Sequence, residues 1–230
     1  MVDIKENVRV VNETIAEAAD RSGRRASEIT LVGVTKTVDV GPMREMIGCG
    51  VADVGENRPQ EIARKYPEFT QTPLNWHMIG HLQKNKVKYI LDKVCLIHSV
   101  DDIGLAAEIN RLSLKLNKKA DVLIEINIAG EETKGGVQPE KCLELIKSCS
   151  GLSHVNIKGL MTMAPYILET DKLRLYFKRM YELFVDIRIK CGNNGFVDTL
   201  SMGMTNDYAI AIEEGATMVR VGTAIFGARV

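Results

Sequence analysis

The chain has 230 residues, of which 45% are hydrophobic and 26% charged, the balance of an ordinary globular protein in the size range of one barrel-type domain. Lys plus Arg and Asp plus Glu both number 30, so no global field draws nucleic acid or an anionic membrane surface, and neither is expected as a partner. No apolar run approaches the roughly 18 residues of a membrane span, and Met1–Glu6 lacks the apolar core of a secretory signal, so a cytoplasmic protein is expected.

In chain order, Ile4, Val8, Val11, Ile15 and Ala18 recur at helical spacing and give an opening helix one apolar stripe, which Arg21-Ser22-Gly23 ends. Short apolar runs then alternate with longer segments of helical period. The candidate strands are Thr30–Val34, Ala52–Val54, Trp76–Ile79, Val94–Val100, Asp121–Ile128, Val155–Met161, Val197–Ser201 and Thr217–Val221. The clearest helical patterns carry Leu105, Ile109, Leu112 and Leu116 after the capping pair Asp101-Asp102; Cys142, Leu143, Ile146 and Cys149 after Pro139; and Leu173, Phe177, Met180, Phe184 and Ile187. Strands alternating with helices predict right-handed parallel crossovers and an α/β fold. Periodicity alone also fits an open doubly wound sheet, but eight units are the defining count of a (β/α)₈ TIM barrel, here a single domain over 1–230 with an additional N-terminal helix. The Gly-rich stretches Ala129–Val137 and Cys191–Gly195 read as loops within this plan. Cys49, Cys95, Cys142, Cys149 and Cys191 form no C-x-x-C pair and read as reduced, mostly buried thiols.

In such barrels the chemistry lies where the strands end and the βα loops converge. Phosphate sites there are commonly built from the loops after strands seven and eight and a short helix N-terminus. Ser201 at the seventh strand could donate a hydroxyl; after the eighth, Gly222 lets backbone approach a phosphate and Thr223 adds an amide and a hydroxyl. Lys36 ends the apolar strand Leu31-Val32-Gly33-Val34 and projects into the mouth. A lysine snorkelling to solvent would look the same, but one desolvated in a barrel mouth has a nucleophilic amine suited to a Schiff base. A lysine beside a phosphate site suggests a phosphorylated aldehyde as ligand.

Several long segments carry a resemblance: Val54–Glu61 (V-G-E-N-R-P-Q-E), Trp76–Lys86 (W-H-M-I-G-H-L-Q-K-N-K), His98–Asp101, Gly159–Pro165, Leu200–Asp207 (L-S-M-G-M-T-N-D) and Gly215–Gly227. In the same order and over nearly the whole chain, they resemble the pyridoxal phosphate homeostasis proteins. The resemblance implies the barrel of the alanine racemase N-terminal domain and a carrier that binds pyridoxal 5′-phosphate (PLP) and delivers it to PLP-dependent apo-enzymes without turnover. A monomer is expected. By motif position, Lys36 would form the Schiff base, Ser201, Gly222 and Thr223 would hold the phosphate, Arg220 would face the pyridine nitrogen, Asn57 the ring near its phenolic oxygen and Met161 the ring face. Where the family often has an aromatic residue this chain has Arg58, and Gly33-Val34-Thr35 replaces Ala-Val-Ser before the lysine; both departures bear on affinity rather than on the anchoring groups.

A PLP-dependent amino-acid racemase is the alternative. Carbanion chemistry uses the pyridinium as electron sink, which an arginine on the ring nitrogen weakens, although racemases tolerate one. A two-base racemase also needs a group opposite the lysine, supplied in alanine racemases by a second domain for which the sequence shows no segment. Tyr166 is the only nearby tyrosine and reads as a loop aromatic. His77 and His81 are four apart, but strand-like Trp76–Ile79 and Gly80 argue against a helical metal pair, so no metal is expected and His81 reads as a supporting hydrogen-bonding residue. Lys84, Lys86, Lys88 and Lys93, with Tyr89 among them, read as a solvated helix face or a docking surface for recipient enzymes.

Overall fold

The computed structural model describes residues 2–131, 135–165, 169–191 and 197–228; Tyr166, Glu132–Lys134 and Gly192–Gly195 lie outside the described residues. Eight parallel strands, β1 (Thr30–Val34), β2 (Asp53–Glu56), β3 (Asn75–Met78), β4 (Leu96–Val100), β5 (Ala120–Ile126), β6 (Val155–Thr162), β7 (Thr199–Ser201) and β8 (Met218–Val221), close in chain order. Closure is made by β1 pairing β8, with Thr30 opposite Met218 and Val32 opposite Arg220, which excludes the open sheet. Each strand lies within two residues of its expected limits. A strand buried on both faces can be apolar at every position, which is why runs such as Val122-Leu123-Ile124, all fully buried, marked the strands without alternation.

The opening helix α1 (Ile4–Arg21) is capped by Asp3, whose carboxylate accepts from the Glu6 amide at 3.0 Å, and its stripe Ile4, Val8, Val11, Ile15 and Ala18 is buried. The Asn7 amide donates to the Ile225 carbonyl at 2.9 Å and Arg21 pairs with Glu213 at 2.7 Å. These contacts seat α1 outside the barrel against α7 (Tyr208–Glu213) and α8 (Thr223–Phe226). The remaining helices are α2 (Val40–Gly48), α3 (Pro59–Lys65), α4 (Ile103–Lys115), α5 (Cys142–Ser148) and α6 (Thr170–Lys190). Asp102 caps α4 by accepting from the Leu105 amide at 3.0 Å, but Leu116, expected on its apolar stripe, is 49% exposed beyond the helix end. The expected lysine-bearing helix between β3 and β4 is instead a 3₁₀ helix, Lys84–Tyr89, with Lys84 and Lys88 exposed.

Side chains fill the barrel in layers. Val32, Leu96, Leu123, Met161 and Met218 form a small apolar cluster separate from the main core. Residues two further along a strand face the same way, so above this plug come Val34, His98, Glu125 and Arg220. Two residues beyond Val34 and Arg220, Lys36 and Gly222 line the cavity at the mouth. The cysteines are all free, Cys142 and Cys149 buried but Cys95 exposed, so burial does not account for that one. Among the described residues no helix is long and apolar enough to cross a membrane.

Candidate functional site

A cavity of about 600 Å³ opens at the C-terminal mouth of the strands, and Lys36, Asn57, Arg220, Gly222 and Thr223 all line it. Lys36 is half-buried, one residue before Thr37, which takes the left-handed φ of 62°. The backbone beneath it is clamped. Thr35 is fully buried; its amide donates to the Gly55 carbonyl at 3.0 Å and its hydroxyl to Glu56 Oε1 at 2.7 Å. The Lys65 ammonium donates to the Thr35 carbonyl at 2.8 Å, to Glu56 at 2.7 Å and to Glu61 at 2.9 Å. Lys65 and Glu56 are both fully buried, and burial pushes the Glu56 carboxyl above its ordinary range despite the bonds from Lys65 and Thr35.

Arg220 forms the floor. It is 4% exposed, donates through one terminal nitrogen to Ser201 Oγ at 2.5 Å and through the other to the Thr162 carbonyl at 2.8 Å. Burial brings its pKa down to about 10, against the pull of Asp207 and Glu125, so it is a cation at neutral pH. Ser201 is fully buried and engaged by Arg220 and His98, and it is not among the cavity-lining residues. The hydroxyl that reaches the mouth from this segment is Thr205, which the sequence reading missed. Its Oγ1 accepts from the Gly222 amide at 3.4 Å and the Ala224 amide at 3.3 Å, across the first turn of α8. Gly203, at φ 93°, makes the turn that brings it there; a Cβ at Gly203 would stand 2.6 Å from the Ala211 Cβ.

Asn57 follows β2, and Gly80 packs directly on its backbone: a Cβ at Gly80 would lie 2.4 Å from the Asn57 carbonyl oxygen. Met161 is fully buried in the apolar plug beneath the cavity, whereas Met163, two residues on and facing the same way, lines it. His81 is exposed at the rim and lines the cavity. His77 points into the barrel, bonded to His98 and Asp53, so the two histidines do not converge. Among the described residues no three His, Cys, Asp or Glu side chains gather as a metal would require.

One end of the cavity thus carries two threonine hydroxyls at the first turn of α8, where Thr205 Oγ1 engages the Gly222 and Ala224 amides over long bonds, its floor a buried guanidinium and its wall a lysine amine. The family model described as alanine racemase, N-terminal domain, matches residues 4–230. A pyridoxal phosphate homeostasis protein of Aquifex aeolicus is 46% identical over 224 residues, 97% of each chain. A protein of the same name from Pseudomonas aeruginosa is 37% identical over 229 residues, covering 100% of this chain and 97% of its own. Among solved structures, that of PipY of Synechococcus elongatus with PLP bound is similar at a TM-score of 0.81 and 31% identity, over 93% of this chain and 100% of PipY.

Proposed function

The chain belongs to the pyridoxal phosphate homeostasis proteins, built on the alanine racemase N-terminal domain, and from that premise we propose that it holds PLP as a Schiff base on Lys36 and hands it to PLP-dependent apo-enzymes. The observation that carries the reading is the convergence of Lys36, Arg220 and the Thr205–Gly222–Thr223 end on one cavity. The donor set fits the group: amides and hydroxyls for a phosphate, an amine for an aldehyde, and a donor-only guanidinium for an unprotonated ring nitrogen. Asn57 would border the ring, with Met161 supporting the floor from beneath. Bound there, PLP supplies an electrophilic aldehyde and, when its ring nitrogen is protonated, an electron sink. Arg220 stays protonated at neutral pH, so it donates a hydrogen bond without surrendering the proton and holds a positive charge in place, which opposes that protonation. The clamp on Thr35 fixes the strand end that carries Lys36.

Binding and release without turnover is the expectation that follows. Holoprotein mixed with D- and L-amino acids should neither racemise nor decarboxylate them faster than free PLP, while a PLP-dependent apo-enzyme should regain activity when mixed with it. Turnover that disappears in Lys36→Ala would replace the carrier reading with that of an amino-acid racemase.

A further inference from the structure

Arg220 is a largely buried cation on the cavity floor with no carboxylate bonded to it among the described residues. Its two hydrogen-bond acceptors are a hydroxyl and a carbonyl. The hydroxyl is the start of a chain through the barrel interior: Ser201 Oγ lies 3.2 Å from His98 Nδ1, His98 Nε2 lies 2.9 Å from His77 Nδ1, and His77 Nε2 lies 2.9 Å from Asp53 Oδ1. The two imidazole planes meet at 72° with their ring centroids 5.2 Å apart. Ser201, His98 and His77 are at most 2% exposed, and the Asp53 side chain, at the start of β2, is 23% exposed.

We propose that Asp53, His77 and His98 are positioning residues for Arg220, a relay of oriented hydrogen bonds that runs from a carboxylate near the far end of the barrel to the cavity floor. The guanidinium at one end only donates and the carboxylate at the other only accepts, and it is the carboxylate that sets the directions between them. Ser201 Oγ accepts from Arg220, and its single proton is available to His98 Nδ1 when that nitrogen is bare. Burial, with His77 and Arg220 nearby, holds the His98 pKa well below the ordinary value, so this ring is neutral and carries one N–H. A neutral His77 faces the acceptor-only Asp53 with Nε2–H, which leaves its Nδ1 bare to accept from His98 Nε2–H, so that His98 Nδ1 is bare and accepts from Ser201. The carboxylate end selects this pair of tautomers and the guanidinium end accommodates it.

Successive hydrogen bonds polarise one another in a low-dielectric interior. The relay thus makes Ser201 a better acceptor than an isolated hydroxyl, while keeping the negative charge at a distance. A carboxylate bonded directly to Arg220 would orient it equally well but cancel its charge toward the cavity. The relay orients the guanidinium and leaves that charge available to a ligand.

The assignment of tautomers is independent of the ligand and is tested first, by ¹⁵N NMR of the imidazoles in ligand-free protein at pH 8. His98 and His77 should both be Nε2–H with bare Nδ1; an Nδ1–H on either ring overturns the relay. The positioning role rests on the PLP reading and is tested by titrating PLP into Asp53→Leu, His98→Phe and Asp53→Asn while following the visible band. The first two should bind about tenfold more weakly and shift the band in the same direction as Arg220→Gln. Asp53→Asn keeps an oxygen acceptor for His77 and should recover most of the affinity. Loss of thermal stability in folded Asp53→Leu or His98→Phe, with wild-type affinity and band, overturns the positioning role. A wild-type protein with no visible band would instead count against the PLP reading, leaving the tautomer result standing.

Discussion

Lys65→Met removes one partner from a fully buried ion pair without removing much volume. Glu56 would keep its hydroxyl bond from Thr35 at 2.7 Å but lose the ammonium at 2.7 Å, and its Oε2 already has no hydrogen-bond partner among the described residues. Breaking a buried pair from one side costs about 3–5 kcal/mol, because the remaining charge is stranded. For a chain of this size that lowers Tm by roughly 10 °C. The pH dependence has a definite sign. Burial already raises the Glu56 carboxyl, and removing the lysine raises it further. A raised carboxyl contributes stability below its unfolded pKa and loses it as pH rises through the folded value, so the deficit of Lys65→Met should be smaller at pH 5 than at pH 8. Lys65→Met with Glu56→Gln should recover most of the loss, since the amide oxygen can still accept from Thr35. Urea unfolding of the three variants at both pH values measures this. A single-variant loss under about 1 kcal/mol, or a double variant no better than the single, would refute the clamp beneath Lys36.

Glu125 is 4% exposed, and burial, with Asp101 nearby, raises its pKa to about 7 against the opposing effect of Arg220. Its ionisation therefore subtracts stability as pH rises from the unfolded value through 7, and Glu125→Gln should gain up to about 3 kcal/mol at pH 8 and little at pH 5; equal effects at both pH values would contradict that assignment. Thr205→Val with Thr223→Ala should weaken PLP binding at least about tenfold and pyridoxal binding little, and equal losses would place the phosphate elsewhere. Gly203→Ala should lose about 1–3 kcal/mol in urea unfolding, from its φ of 93° and the approach of Ala211, and a neutral result would show that the turn relaxes.

The barrel was legible because its parallel strands are buried on both faces and its longer helices carry one apolar stripe, patterns that local sequence displays directly. The 3₁₀ helix at Lys84–Tyr89 was not, since a short lysine-rich segment looks alike in either helical form. In the site, Lys36, Gly222 and Thr223 could be read from strand ends, and Arg220 and Asn57 from the family motifs. Two features were hidden. Nothing local in the sequence singles out Lys65, and only the fold shows that its stem runs inward to Glu56. Thr205 sits four residues beyond Ser201, and its place at α8 depends on the turn at Gly203, a three-dimensional fact. Met161 and Met163 illustrate the limit of motif position: one residue of offset along β6 turns a side chain away, and two move it from the plug to the cavity.

The central claim, a covalent link at Lys36, is tested most directly by incubating the protein with PLP, reducing with borohydride and mapping the modified peptide by mass spectrometry. The account predicts one dominant adduct on the peptide containing Lys36, and loss of both adduct and visible band in Lys36→Ala. An adduct on another lysine, or a full-strength band in Lys36→Ala, would contradict it.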